Sequence, residues 1–194
     1  MTSTSLETAI KNSDYVLNPL GMAYVDNHGY VNVQQSDRPQ EHIPASYTMD
    51  QVIKQYLASE QGQKFQDYMS QHGKNQISVE GRGAADLGEG VVAAVMHNGE
   101  QGVVLGNYSD GKGFFTRVRE FGSQYKLDEQ AALEYVLTHE FGHVAGYDTE
   151  ASNEAFIKDY FIERATETGG QERQKYLQLA QVAEYRQQQA EKAN

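Results

Sequence analysis

The chain has 194 residues, 39% of them hydrophobic and 22% charged, with a formal net charge of −11 and no cysteine. A folded core is within reach of that length and composition, while the negative charge argues against nucleic acid or an anionic membrane as the main partner. Without cysteine, disulfides and thiolate zinc sites are excluded.

The start, "MTSTSLETAI", carries no basic segment followed by an apolar one, so it does not read as a signal peptide. No stretch approaches ~18 apolar residues, so no transmembrane helix is expected. The expectation is a cytoplasmic protein with one domain over 1–194. Within it, 1–48 is an extension or a latency segment, 49–168 the core and 169–194 a C-terminal helix.

Along the chain, "SLETAIKNSDYVL" suits a short helix. "GMAYVDNHGYVNVQ" alternates apolar and polar residues around Asn27-His28-Gly29, the pattern of a hairpin. Pro39 and Pro44 punctuate "SDRPQEHIPASYT", which reads as a loop. The spacing of Val52, Ile53, Tyr56, Leu57, Phe65, Tyr68 and Met69 predicts a helix over Met49–His72. Thr48 or Asp50 would cap it, and Gly62 is a candidate break.

Residues 76–121 change character. "QISVEG", "GVVAAVMHNG", "QGVVLGNYSDG" and "GFFTRVREF" are short Val- and Phe-rich runs between glycines. They read as three or four strands of a mixed or antiparallel sheet, with turns at Asn98-Gly99 and Asp110-Gly111. Helix then returns. Asp128 is a good cap for "EQAALEYVLTHEFGHVA" and Gly146 a good stop. A second helix is expected over about 150–168, ending at Gly169-Gly170. A third, Gln- and Ala-rich, carries a thin apolar stripe at Tyr176, Leu179, Ala180, Val182 and Ala183, with solvated last turns.

The chemistry concentrates in "LTHEFGHVAGYDTEASNEAF". His139 and His143 stand four apart on a helix, so both rings project from one face and can reach one small cation. Glu140 follows the first ligand, where its carboxylate can act as general base on a water held at the metal. Zinc suits imidazole plus carboxylate, and it lowers the pKa of bound water. Two ligands leave a third to find. Glu154 shares its helix side with the apolar Ile157, Phe161 and Ala165, and a charge on a core-facing stripe needs a partner. Glu163 keeps company with Asp159 and Glu167 on a solvated face, and lies about 13 Å further along the axis. Glu154 is therefore favoured over Glu163, with Asp148 and Glu150 as further candidates. Tyr147, Tyr160 and Arg164 lie near enough in sequence to stabilise an oxyanion. His28, His42, His72 and His97 read as uninvolved.

"HEFGH" resembles the zinc-binding helix of the zincin metallopeptidases. Gly146 matches the glycine that follows the motif in the metzincin branch, but the ligand position there is Thr149, with Asp148 out of register. "NEAF", Asn153 to Phe156, is similar to the glutamate-helix context of the gluzincin branch. The spacer from His143 is short, so the likeness is to the compact, minigluzincin-like members. The resemblance implies an α+β zincin-like fold: a small twisted sheet on a backing helix and an active-site helix, then a glutamate helix and a C-terminal helix. It implies a zinc-dependent peptidase with Zn2+ on His139, His143 and Glu154, Glu140 as general base, and peptide or protein as partner. Substrate would lie along one sheet edge. The alternative is a module of the same shape that holds zinc but is latent or does not cleave.

Overall fold

The computed structural model describes residues 23–25, 30–33, 41–74, 78–84, 87, 91–98, 101–107 and 113–193, with side-chain detail from Met49 onward. It is an α+β structure. Among the described residues are strands β1 (Ala23–Val25), β2 (Tyr30–Val33), β3 (Glu41–Pro44), β4 (Ser78–Ala84), β5 (Ala93–Asn98) and β6 (Gln101–Asn107). Six helices accompany them: α1 (Ala45–Ala58), α2 (Glu60–Gln71), α3 (Phe114–Tyr125), α4 (Glu129–Val144), α5 (Glu150–Glu167) and α6 (Gly170–Ala193).

The sheet that matters for the site has the order β4-β6-β5 and is mixed. β4 runs parallel to β6, while β5 pairs antiparallel with it. Asn98 stands opposite Gln101 at the end of the ladder, and the residues between them lie outside the described residues. Among the described residues β5 is an edge strand. α1 lies against β4 and α4 against β5 and β6. On the other side of α4 comes α5, and α6 folds back along α5. A separate sheet of order β1-β2-β3 is antiparallel throughout.

α4 is the axis of the molecule. Every residue from Ala131 to Gly142 is buried, so this helix is wrapped on all sides rather than amphipathic. Its start is set as expected: the Asp128 carboxylate accepts from Ala131 N–H at 2.8 Å. At its end, Gly146 N–H donates to the His143 carbonyl and Tyr147 N–H to that of Gly142. This paired closure needs a left-handed residue after the cap, and Gly146 supplies it with φ +90°.

Several expectations change. "GFFTRVREF" is helix, not strand. Phe114, Phe115, Val118, Phe121 and Gly122 are buried, which is a 3.6-residue period, and that period outweighs the β-propensity of Phe and Val. The loop expected around Pro44 contains β3, and α1 follows it directly from Ala45. The helix expected over Met49–His72 is two. It breaks at Ser59, whose hydroxyl accepts from Gly62 N–H and caps α2. The helix expected at 5–17, the turns at Asn27-His28-Gly29 and Asp110-Gly111, and the side chains of His28, His42 and His97 lie outside the described residues. The apolar stripe of α6 is buried as its spacing predicts. No described helix is long and apolar enough to cross a membrane.

Candidate metal centre

Three side chains converge at the C-terminal end of α4. His139 Nε2 and His143 Nε2 are 3.2 Å apart. Glu150, in the first turn of α5, places one oxygen 3.5 Å from His139 Nε2 and the other 3.3 Å from His143 Nε2. A cation held by bonds of 2.0–2.1 Å in tetrahedral geometry keeps its ligand atoms about 3.3 Å apart. The histidine pair matches one edge of such a tetrahedron, and with one ligand atom from each residue the three lie within 4.8 Å of one another. His139, His143 and Glu150 therefore form a group able to hold a metal ion.

The imidazoles are set for that task. His143 Nδ1 is 2.7 Å from the Tyr147 carbonyl, which can only accept, so Nδ1 carries the proton and Nε2 keeps its lone pair. The turn at Gly146 that ends α4 is the same turn that brings this carbonyl back to the ring. His139 is fixed through its backbone as well: Asn153 Nδ2 donates to its carbonyl at 2.8 Å. Asn153 comes so close to α4 that a Cβ on Gly142 would lie 1.9 Å from its Oδ1. The glycine inside "HEFGH" is thus what lets α5 approach the helix carrying the histidines.

Glu154 does not face the Nε2 pair. Its Oε1 is 3.1 Å from His139 Nδ1, the opposite edge of the ring, and off the line of a hydrogen bond. A metal at Nε2 would be the width of the imidazole away. The carboxylate beside the Nε2 pair is thus Glu150, where the sequence favours Glu154. The burial argument held, since Glu154 is fully buried beside Ile157, Phe161 and Ala165. Its partners are not a metal, however. Tyr135 Oη donates to Oε2, and Arg186 Nε donates to Oε1 at 2.5 Å. Glu150 precedes Glu154 by four residues, one helical turn and about 6 Å, so the two carboxylates bracket the His139 ring. Glu163 is exposed on the solvated face of α5. Asp148 lines the cleft but stands outside the three-residue group.

Electrostatics follow from this packing. Burial works against a charged His143, but the Glu150 hydrogen bond, the Tyr147 carbonyl and the carboxylates of Glu150 and Glu140 outweigh it and raise its pKa. The His143 hydrogen bond holds Glu150 down at about 2, against the effect of burial. Burial would raise Glu154, yet His139, Arg186 and Tyr135 bring it below the ordinary range. Glu140 goes the other way: burial raises its pKa, against the pull of both histidines.

The cleft over this group measures about 400 Å³ and is lined by Val91, Ala93, Ala94 and Val95 facing His139, Glu140, His143 and Glu150. A second hollow of about 230 Å³ continues past Phe121, Tyr135 and Arg186. The residues close enough in sequence to serve a developing oxyanion have other partners. Tyr147 stacks on Phe156, Tyr160 donates to the Gln61 carbonyl, and Arg164 pairs with Glu167. The cation in the cleft is Arg186, in the stretch of α6 that reads from sequence as a solvated end. Nothing in that Gln-rich run marks it out, because its partner is 32 residues away. Comparison with protein-family models, with curated proteins and with solved structures returns no match in any of the three. The function is therefore argued from the site's own atoms.

Proposed function

We propose that the protein is a zinc-dependent peptidase of zincin-like architecture, with His139, His143 and Glu150 as metal ligands. The observation that carries this reading is the convergence of one ligand atom each from His139, His143 and Glu150 within 4.8 Å, on a helix that places a buried Glu140 beside them. A zinc ion held there would supply Lewis acidity, polarising a scissile carbonyl and making water a better nucleophile at neutral pH.

The chain's own groups do the rest. β5 borders the cleft and leaves one edge unpaired among the described residues, so an extended peptide can add to it by backbone hydrogen bonds. Glu140 lines the same cleft. Burial raises its pKa in the direction that makes a carboxylate a better base. It takes the proton from water as the oxygen attacks the amide carbon, then returns it to the amine as the C–N bond breaks. The apolar wall of Val91, Ala93 and Val95 keeps other water from the reacting groups.

Glu140→Gln is the direct test. Metal content should match wild type by elemental analysis, while cleavage of casein or a mixed peptide library should fall by at least the 10²–10⁴-fold that general-base catalysis contributes. Wild type with full zinc occupancy and no cleavage of any peptide would leave a zinc-holding module and remove the peptidase.

A further inference from the structure

We propose that Arg186 is a positioning residue of the metal site, holding Glu150 in the ligand position and locking Glu154 behind His139. The C-terminal helix is then a working part of the centre rather than packing around it. This rests on the reading of His139, His143 and Glu150 as ligands.

α6 runs back antiparallel along α5, as the Arg164–Tyr176 and Lys158–Gln187 contacts show. That path delivers Arg186 to the two carboxylates that bracket His139. Its Nε donates to Glu154 Oε1 at 2.5 Å, and its Nη2 lies 3.7 Å from Glu150 Oε2. The guanidinium also lies 5.8 Å from the centre of the Phe121 ring, which gives the fork an apolar wall to rest on. About a third of the side chain remains exposed, so the fork closes one flank of the cleft.

Each carboxylate needs this support for a different reason. Glu150 sits in the first turn of α5 with 55% of its side chain exposed. A free glutamate there would sample several rotamers, and a metal ligand must be confined to one. Arg186 and the two imidazoles supply the confinement. Glu154 is fully buried, and a buried carboxylate without a cation would not hold its place against His139. One planar fork meets both demands, because its nitrogens diverge in fixed directions. A lysine ammonium would reach one carboxylate as a point charge and leave the other loose.

The sign of the effect separates positioning from simple charge. An arginine that did nothing but place a positive charge near a divalent cation would weaken metal binding, and its removal would tighten it. An arginine that aims the ligands does the reverse. A second α6 cation, Lys175, provides the internal standard: it meets buried Glu134 at 2.9 Å, away from the cleft.

The experiment compares wild type, Arg186→Gln, Arg186→Lys and Lys175→Gln. Each protein is stripped with a chelator, checked for its thermal melt, and titrated with Zn2+ against a chromophoric competitor and with Co2+ by visible absorption. Arg186→Gln should weaken Zn2+ by about 10–100-fold, the usual cost of losing a group that orients metal ligands, and should lose tetrahedral Co2+ absorption. Arg186→Lys should fall between it and wild type. Lys175→Gln should melt at lower temperature with Zn2+ affinity unchanged. Unchanged or tighter Zn2+ binding by Arg186→Gln and Arg186→Lys overturns the proposal. So does an equal loss in Lys175→Gln, which would make α6 mere packing. A wild type that binds no Zn2+ overturns the metal-site reading itself, a result distinct from either.

Discussion

Two buried carboxylates, Glu134 on α4 and Glu154 on α5, each take a counter-charge from α6. Toward the N-terminal end of α4, Glu134 receives Lys175 in a closed environment, beside the buried Tyr56–Thr138 hydrogen bond. At the other end, Glu154 receives Arg186 with His139 against its free side and a cleft beyond. The two arrangements use one device for different ends. Burial raises the pKa of Glu134 despite Lys175, so this pair is a costly residue made tolerable. Glu154 is lowered in spite of burial, because three partners converge on its charge. A buried ion pair alone does not indicate function. One that touches an imidazole with its other nitrogen facing a cleft does.

The largest test of that contrast concerns which carboxylate is the ligand. Glu150→Gln should lower Zn2+ affinity well beyond the roughly 10–100-fold expected of Glu154→Gln, because the first loses a ligand charge and the second an orienting one. Competition titration of both variants reads the order directly. A stronger loss in Glu154→Gln would return the third-ligand role to Glu154.

Breaking the closed pair should act on stability alone. Glu134→Ala strands Lys175, whose side chain is 22% exposed. The cost should be about 3 kcal/mol, at the lower end for a broken buried pair because Lys175 partly reaches water. Denaturant unfolding of the metal-free protein measures it, and Zn2+ affinity should not move.

The smallest effect is in pH. In the metal-free protein His143 is raised above its usual 6.5. A charged His143 therefore contributes stability that is complete below that value and lost as pH rises through the folded pKa. Zinc needs the neutral ring, so its apparent affinity should fall about tenfold per pH unit once pH drops below the raised value. Glu150, held at about 2, adds no second proton in this range. Titrations between about pH 5 and 8 should show a slope of at least one proton, and Glu150→Gln should move the onset to lower pH.

Much of the site was legible before any coordinates. The Asp128 cap, the Gly146 stop and the i, i+4 histidines are local features, and local rules fix them. The core-facing stripe of α5 was legible too, as was the exposed position of Glu163. The divergence over Glu154 is instructive. A buried charge correctly called for a partner, and the nearest conceivable partner in sequence was the metal. The actual partner came from the far end of the next helix. The reading of "GFFTRVREF" as strand failed differently: Phe and Val suit either state, and their 3.6-residue spacing was the stronger signal.

What the sequence determined by itself is the pair of histidines on one helix face, the adjacent glutamate and the helix that carries them, because these depend on spacing along one hydrogen-bonded turn. What only the tertiary structure decided is the third group and its support. Glu150 and Glu154 share a helix side one turn apart, and periodicity cannot say which of them meets the open edge of His139. That depends on how closely α5 approaches α4 at Gly142 and where α6 brings Arg186. Both are distances between elements, set by packing rather than by the order of residues.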